Sequence, residues 1–124
     1  MGQAGLPVGA MSAPLGDNEW TLVELDGERI EPGAEMRAPT LVLDLEEAHV
    51  SGSGGVNVFM GTFALSESEL RFGQLATTLM AGPEPAMERE RAFLDALARV
   101  TSYALDGQLL TLLAGDEAVA RLAC

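Results

Sequence analysis

His49 has the widest chemical repertoire of any side chain in this sequence, and the carboxylates Asp44, Glu46 and Glu47 stand close to it along the chain. An imidazole among carboxylates can hold a divalent cation or act as a general base. No zinc spacing rule is met here, however, and His49 is the sole histidine. Ser51, Ser53, Thr77 and Thr78 become nucleophiles only when a base activates them, and a single histidine gives thin support for a Ser–His pair. His49 therefore reads as a solvent-exposed residue at a strand end. The run Gly52-Ser-Gly54-Gly55 is superficially like a phosphate-binding loop, but it leads into a strand, and a chain without lysine cannot supply a P-loop lysine. It reads instead as a tight turn whose Asn57 amide bonds to backbone. Met60, Met80 and Met87 read as fillers of core gaps rather than as copper ligands. The one cysteine, Cys124, ends the chain and cannot pair within it. No catalytic, cofactor-binding or metal-ligating residue is assigned: the expectation is a protein that is not an enzyme and needs no cofactor.

Composition describes an ordinary globular domain. A chain of 124 residues is one domain on the usual size prior, long enough to bury a core without staples. The core must be largely aliphatic, because 48% of residues are hydrophobic and only 5% aromatic. Nineteen acidic residues face seven arginines, for a net charge of −12. Nucleic acid is thereby disfavoured as a partner, since phosphate binding needs a basic patch, and so is an anionic membrane surface. The acidic excess reads as a solubilising surface, with cation binding and adaptation to high salt as the alternatives. No apolar run is long enough to span a membrane.

Elements follow from the patterning. Residues 1–16 are rich in Gly, Ala and Pro and lack the basic and apolar regions of an intact signal peptide, so they read as a flexible tail before a domain at 17–124. Trp20 to Leu25 alternates, with Trp20 and Leu22 on one face and Val23 and Leu25 near the other, and stops at Asp26-Gly27. Residues 28–39 read as loop. Thr40–Leu45 is a second strand, and His49-Val50 leads into a glycine loop at 51–57. Strands then follow at Asn57–Leu65 and Glu69–Phe72, with a crossing segment from Gln74 to Pro85. Pro85 to Val100 is helical: Phe93, Leu97 and Val100 share a face flanked by Met87, Glu90 and Leu94, while Glu88, Arg89, Arg91, Asp95 and Arg99 point outward. Three more strands complete the chain, at Ser102–Leu105, Gln108–Leu113 and Ala118–Leu122, with a type I′ turn expected at Asp106-Gly107. The expected fold class is α+β: a curled, barrel-like, mostly antiparallel sheet of seven or eight short strands with one packed helix.

The order of these elements resembles the META domain, also called the HslJ-like domain, from Trp20 to about Leu122. The resemblance is carried by Trp20-Thr-Leu22, by Gly52-Ser-Gly-Gly-Val-Asn-Val-Phe-Met-Gly-Thr-Phe63, and by Leu70-Arg-Phe-Gly-Gln-Leu-Ala-Thr-Thr-Leu-Met-Ala-Gly82. It continues in Glu90-Arg-Ala-Phe-Leu-Asp-Ala-Leu-Ala-Arg-Val100 and Tyr103-Ala-Leu-Asp-Gly-Gln-Leu-Leu-Thr-Leu112. Any block alone is weak, but five in order are specific. Two departures go together. Val56 and Gly82 stand where the family carries cysteines, which implies that the two positions are neighbours in space within the reach of a disulfide. Phe63 also replaces a tyrosine.

The resemblance implies a stress-associated or heat-shock-linked domain of the cell envelope, often secreted or lipid-anchored, with no reaction assigned to the fold. A cytosolic chain is the alternative, as is a mature domain whose leader was removed. A monomer is expected. Two functional readings stay open: a binding module with an apolar ligand or peptide held between sheet and helix, or a structural domain whose surface meets a protein partner. A weak hydrolase or a cation-binding protein is a more distant third.

Overall fold

The computed structural model describes residues 15–16, 18–30 and 37–124. Among the described residues ten strands and one helix succeed one another: β1 (Glu19–Leu25), β2 (Glu28–Arg29), β3 (Thr40–Asp44), β4 (His49–Ser53), β5 (Val58–Ser66), β6 (Glu69–Phe72), β7 (Ala76–Thr77), α1 (Glu84–Arg99), β8 (Ser102–Asp106), β9 (Leu109–Ala114) and β10 (Glu117–Ala123). Eight of them pair antiparallel in the order β1-β3-β4-β5-β6-β8-β9-β10, and β10 returns to β1, closing a barrel. The short strands β2 and β7 attach to β1 and β5. The α+β class and the barrel-like antiparallel sheet expected from the sequence are both present. Residues 1–14, most of the expected tail, lie outside the described residues. Leu15 is already buried, and its carbonyl accepts a hydrogen bond of 2.9 Å from the Trp20 indole.

Strand alternation builds the core. Leu41 and Leu43 of β3, Phe59 and Phe63 of β5, and Leu110 and Leu112 of β9 all point inward. On β1 strict alternation would put Leu25 opposite Trp20 and Leu22. Instead the β1–β10 register shifts between Leu22 and Glu24, and this bulge returns Leu25 to the interior. A second shift, between Ala118 and Ala120, buries Val119 and Ala120 together. Glu28 and Arg29, expected in a loop, pair instead with β1 across Asp26-Gly27, whose φ values of 49° and 85° are those of a type I′ turn. The Asp106-Gly107 turn differs from its expectation. Its central residues are Gly107 and Gln108, and only Gly107 has positive φ, so it is of the II′ kind.

The first part of the expected glycine loop, residues 51–53, is strand. His49–Ser53 forms β4, paired with β3 on one side and β5 on the other. Gly52 sits within that strand because a Cβ there would run into the Thr40 carbonyl and the Phe59 ring. Only residues 54–57 remain as the turn into β5.

Helix α1 packs against β1, β6, β9 and β10, and so lies across one opening of the barrel. Pro85 lies in its first turn with Glu84, and Arg99 lies in its last. Phe93, Ala96 and Leu97 enter the core, where the Phe93 and Phe59 rings meet edge to face with centroids 6.0 Å apart. Arg99 also bonds the Asp26 carboxylate at 2.9 Å, tying the end of the helix to the β1–β2 turn.

Candidate functional site

The described polar residues that sit deepest are Asn57 and Glu90, 5% and 6% exposed, and they face each other. Glu90 lies one helical turn before Phe93 and Leu94, which aims its carboxylate at the turn between β4 and β5. One carboxylate oxygen accepts the backbone N–H groups of Val56 (3.0 Å) and Asn57 (2.5 Å). The other accepts the Asn57 side-chain amide at 2.8 Å. Gly54 makes room for this clamp, since a Cβ on it would overlap the Glu90 side chain.

Asn57 spends the rest of its capacity on the crossing segment. Its Nδ2 also donates to the Met80 carbonyl at 3.1 Å, while its Oδ1 accepts from the Met80 N–H at 2.6 Å and the Thr78 hydroxyl at 2.7 Å. Both donors and both lone pairs of the amide are thereby engaged. Three segments distant in sequence are locked together: the β4–β5 turn, the crossing and α1. Burial pushes the Glu90 pKa up, but the hydrogen bonds from the Asn57 side chain and from the Asn57 and Val56 backbones outweigh it and hold the carboxyl below its ordinary value. A carboxylate so depressed and so fully engaged is a structural clamp, poorly suited to taking a proton near neutral pH.

In the sequence Glu90 flanks the apolar face of the helix, and its partner is not marked there. The available signal was an acid in line with Phe93 and Leu97 on the stripe that must be buried. Arg89, expected to point outward, is half-buried and donates to the Arg37 carbonyl at 2.6 Å. Its Nε is buried without a partner, and burial lowers the pKa of the group.

The residues with potential for chemistry do not assemble into machinery. His49 is exposed at the start of β4, and Asp44 stands opposite it across the β3–β4 pair. Asp44 and His49 line a shallow depression with Ser51 and Thr62, yet the Asp44 carboxylate is turned to its own loop, accepting from Glu46 N–H (3.1 Å) and Glu47 N–H (3.2 Å). Ser53 accepts from the Gly55 N–H, and Thr78 belongs to the Asn57 network. Ser51 and Thr77 are exposed. Among the described residues no group of three or more His, Cys, Asp or Glu is placed to hold a metal ion.

The methionine reading is overturned. Met60 and Met80 are exposed, and Met87 is half-buried. Met60 has the outward parity of β5, where Phe59 and Phe63 take the interior, and Met80 is presented by the crossing, whose backbone the Asn57 amide pins. Val58, Met60, Leu79 and Met80 together give this side of the molecule an apolar surface, and Leu79 is 97% exposed. Between the crossing and α1 lies an open groove of about 430 Å³, lined by Thr77 to Ala81, Met87, Arg91 and Leu94, with Asn57 and Glu90 also contributing to it.

Fold and site together define a class: a closed antiparallel barrel, covered at one end by a helix that a buried Asn–Glu pair fastens to the first half of the chain. The chain belongs to the META domain family, whose model matches residues 13–123. The NMR structure of a protein from Burkholderia xenovorans is similar, with a TM-score of 0.69 and 29% identity over 88% of this chain and 82% of that one. A second NMR structure, at 22% identity, shares the fold with a TM-score of 0.64, covering 85% of this chain and 86% of its own. No curated protein matches the sequence. No helix among the described residues is long and apolar enough to cross a membrane.

Proposed function

We propose that this domain is a non-catalytic binding module that meets a protein partner through the apolar surface of Val58, Met60, Leu79 and Met80. The observation that carries this reading is the combination of exposure and rigidity at the crossing. Leu79 is almost wholly exposed, while the backbone beside it is fixed by the buried Asn57 amide. An apolar side chain presented on an ordered backbone has little entropy left to lose on binding. Holding an apolar ligand inside the barrel is less favoured, because the fully buried Trp20, Phe59 and Phe93 with their leucine neighbours occupy that space. The stress-associated, cell-envelope setting implied by the family belongs to the same proposal.

Native mass spectrometry of protein purified from its own host tests it, comparing the wild type with Leu79→Asn. A protein partner that co-purifies with the wild type and is lost from the variant is the expected result. A small apolar molecule retained by both would overturn the surface reading in favour of an internal ligand. Fractionation of the host cells checks the envelope setting, which a purely cytosolic protein would exclude.

A further inference from the structure

One wall of the groove is a strand edge to which no described strand is paired. β7 pairs with β5 through Phe59↔Thr77 and Met60↔Ala76, and the Thr78 N–H donates to the Val58 carbonyl. The Val58 N–H in turn donates to the Thr78 hydroxyl at 3.2 Å, so Thr78 faces β5. By the alternation of an antiparallel ladder, Thr77 turns its own N–H and C=O away from β5. Beyond Thr78 the Asn57 amide takes the place of a strand, bonding both the N–H and the C=O of Met80. Inward groups therefore belong to Thr78 and Met80, and outward groups to Thr77 and Leu79. Edges of this kind are templates for another strand unless they are blunted by charge, proline or a covering element. Residues 74–82 contain neither charge nor proline.

The facing wall and the acidic surface beyond it specify the occupant. Met87 and Leu94 of α1 line the groove opposite the edge. Arg91 lines the groove as well, 3.8 Å from Glu84, and Glu88 and Asp95 are exposed along the adjoining depression that shares Arg91 and Leu94 with it. The whole chain carries −12, so a second copy would meet strong like-charge repulsion, whereas a basic segment would be drawn in. We infer, resting on the surface-binding reading above, that the groove receives an extended segment of a partner protein that adds a strand along Thr77 and Leu79. Its apolar side chains lie against Leu79, Met87 and Leu94, and its lysines or arginines lie toward Glu84, Glu88 and Asp95.

The test is selection of a random peptide library, displayed on phage, against the full chain, followed by titration of the enriched peptides into ¹⁵N-labelled protein. Enriched sequences alternate apolar and polar residues with lysine or arginine flanks, and they shift the Thr77 and Leu79 amides. Two changes each weaken binding about tenfold or more: N-methylation of alternate peptide amides, and Thr77→Pro, which removes an outward donor and leaves the inward ladder intact. Leu79→Asn, on a nearly fully exposed side chain, weakens the same peptides without touching the fold. The inference is overturned if nothing enriches, if the peptides are acidic or of helical periodicity, if a folded Thr77→Pro variant binds undiminished, or if the shifts fall elsewhere. Dimerisation of the chain through this edge would overturn it as well. A host partner that depends on Leu79 yet leaves the Thr77 and Leu79 amides unmoved would sink strand addition alone. A partner indifferent to Leu79 would sink the surface reading itself.

Discussion

Val56 and Gly82 are in contact: a Cβ placed on Gly82 would lie 3.6 Å from the Cβ of Val56 and 2.9 Å from one of its methyls. That separation falls in the Cβ range of natural disulfides. The neighbourhood inferred from two missing cysteines is therefore real, and Val56 fills with methyl groups the space a sulfur pair would take. The double variant Val56→Cys/Gly82→Cys should form a disulfide on air oxidation, seen as a mobility shift without reductant and the loss of two free thiols. Closing a loop of that size contributes about 3 kcal/mol, so oxidised protein should melt higher than reduced. Gly82→Cys alone should cost about 1 kcal/mol, since its Cβ crowds the Val56 methyls.

Two glycines should answer alanine differently. At Gly52 a Cβ meets the Thr40 carbonyl and the Phe59 ring, which are backbone and core and cannot step aside. Gly52→Ala should cost about 2–3 kcal/mol in denaturant unfolding. At Gly107 nothing lies within 4 Å, but φ is +63°. Gly107→Ala should cost only about 1 kcal/mol, the strain of a left-handed alanine. Equal losses at the two sites would mean that Gly52 is not packed as described.

Strands and helix were legible because alternation and the 3.6-residue period are local signals, and the class of fold followed from their order. Leu25 was misplaced because a bulge is a property of the β1–β10 pair, which single-strand alternation does not encode. The β4 strand was hidden by Gly52, whose reason for being glycine is a ring seven residues away in β5. Side-chain type points Met60 and Met80 to the core, while strand parity and the Asn57 clamp decide that they face solvent. The partnership of Asn57 and Glu90 joins residues far apart in sequence. Each half was visible, as an asparagine in a turn and an acid beside an apolar stripe, but their meeting was not.

Glu90 should give the fold a specific acid sensitivity. Its carboxyl is held below the ordinary value in the folded protein, so the unfolded chain binds the proton more readily. The stabilisation is fully present above the unfolded value of about 4.3 and is lost as pH falls through the lower folded one. Glu90→Gln should cost about 2–3 kcal/mol at neutral pH: with its carbonyl oxygen kept on the Val56 and Asn57 backbone N–H groups those bonds lose their charge assistance, and its NH2 is set against the Asn57 side-chain donor. It should also flatten the decline of stability as pH falls below about 4.3. Urea midpoints measured across that range check both outcomes. A variant with the wild-type slope would show that other carboxyls carry the acid sensitivity.

Asn57→Asp should invert that dependence. The change replaces the amide nitrogen, 2.8 Å from the Glu90 carboxylate, with an oxygen, and removes the donor to the Met80 carbonyl. Two carboxylates at that distance repel, so one of them is driven to a raised pKa in the folded state. At neutral pH the variant should lose about 3 kcal/mol or more, having exchanged a hydrogen bond for an unpaired buried charge. A raised folded pKa gives stability that is present at low pH and lost as pH rises through that pKa. The variant should therefore gain stability on mild acidification, where the wild type holds steady, and the gap between them should narrow toward pH 4. Thermal melts of both proteins across that interval decide it: parallel curves would mean that Asn57 and Glu90 do not share a site.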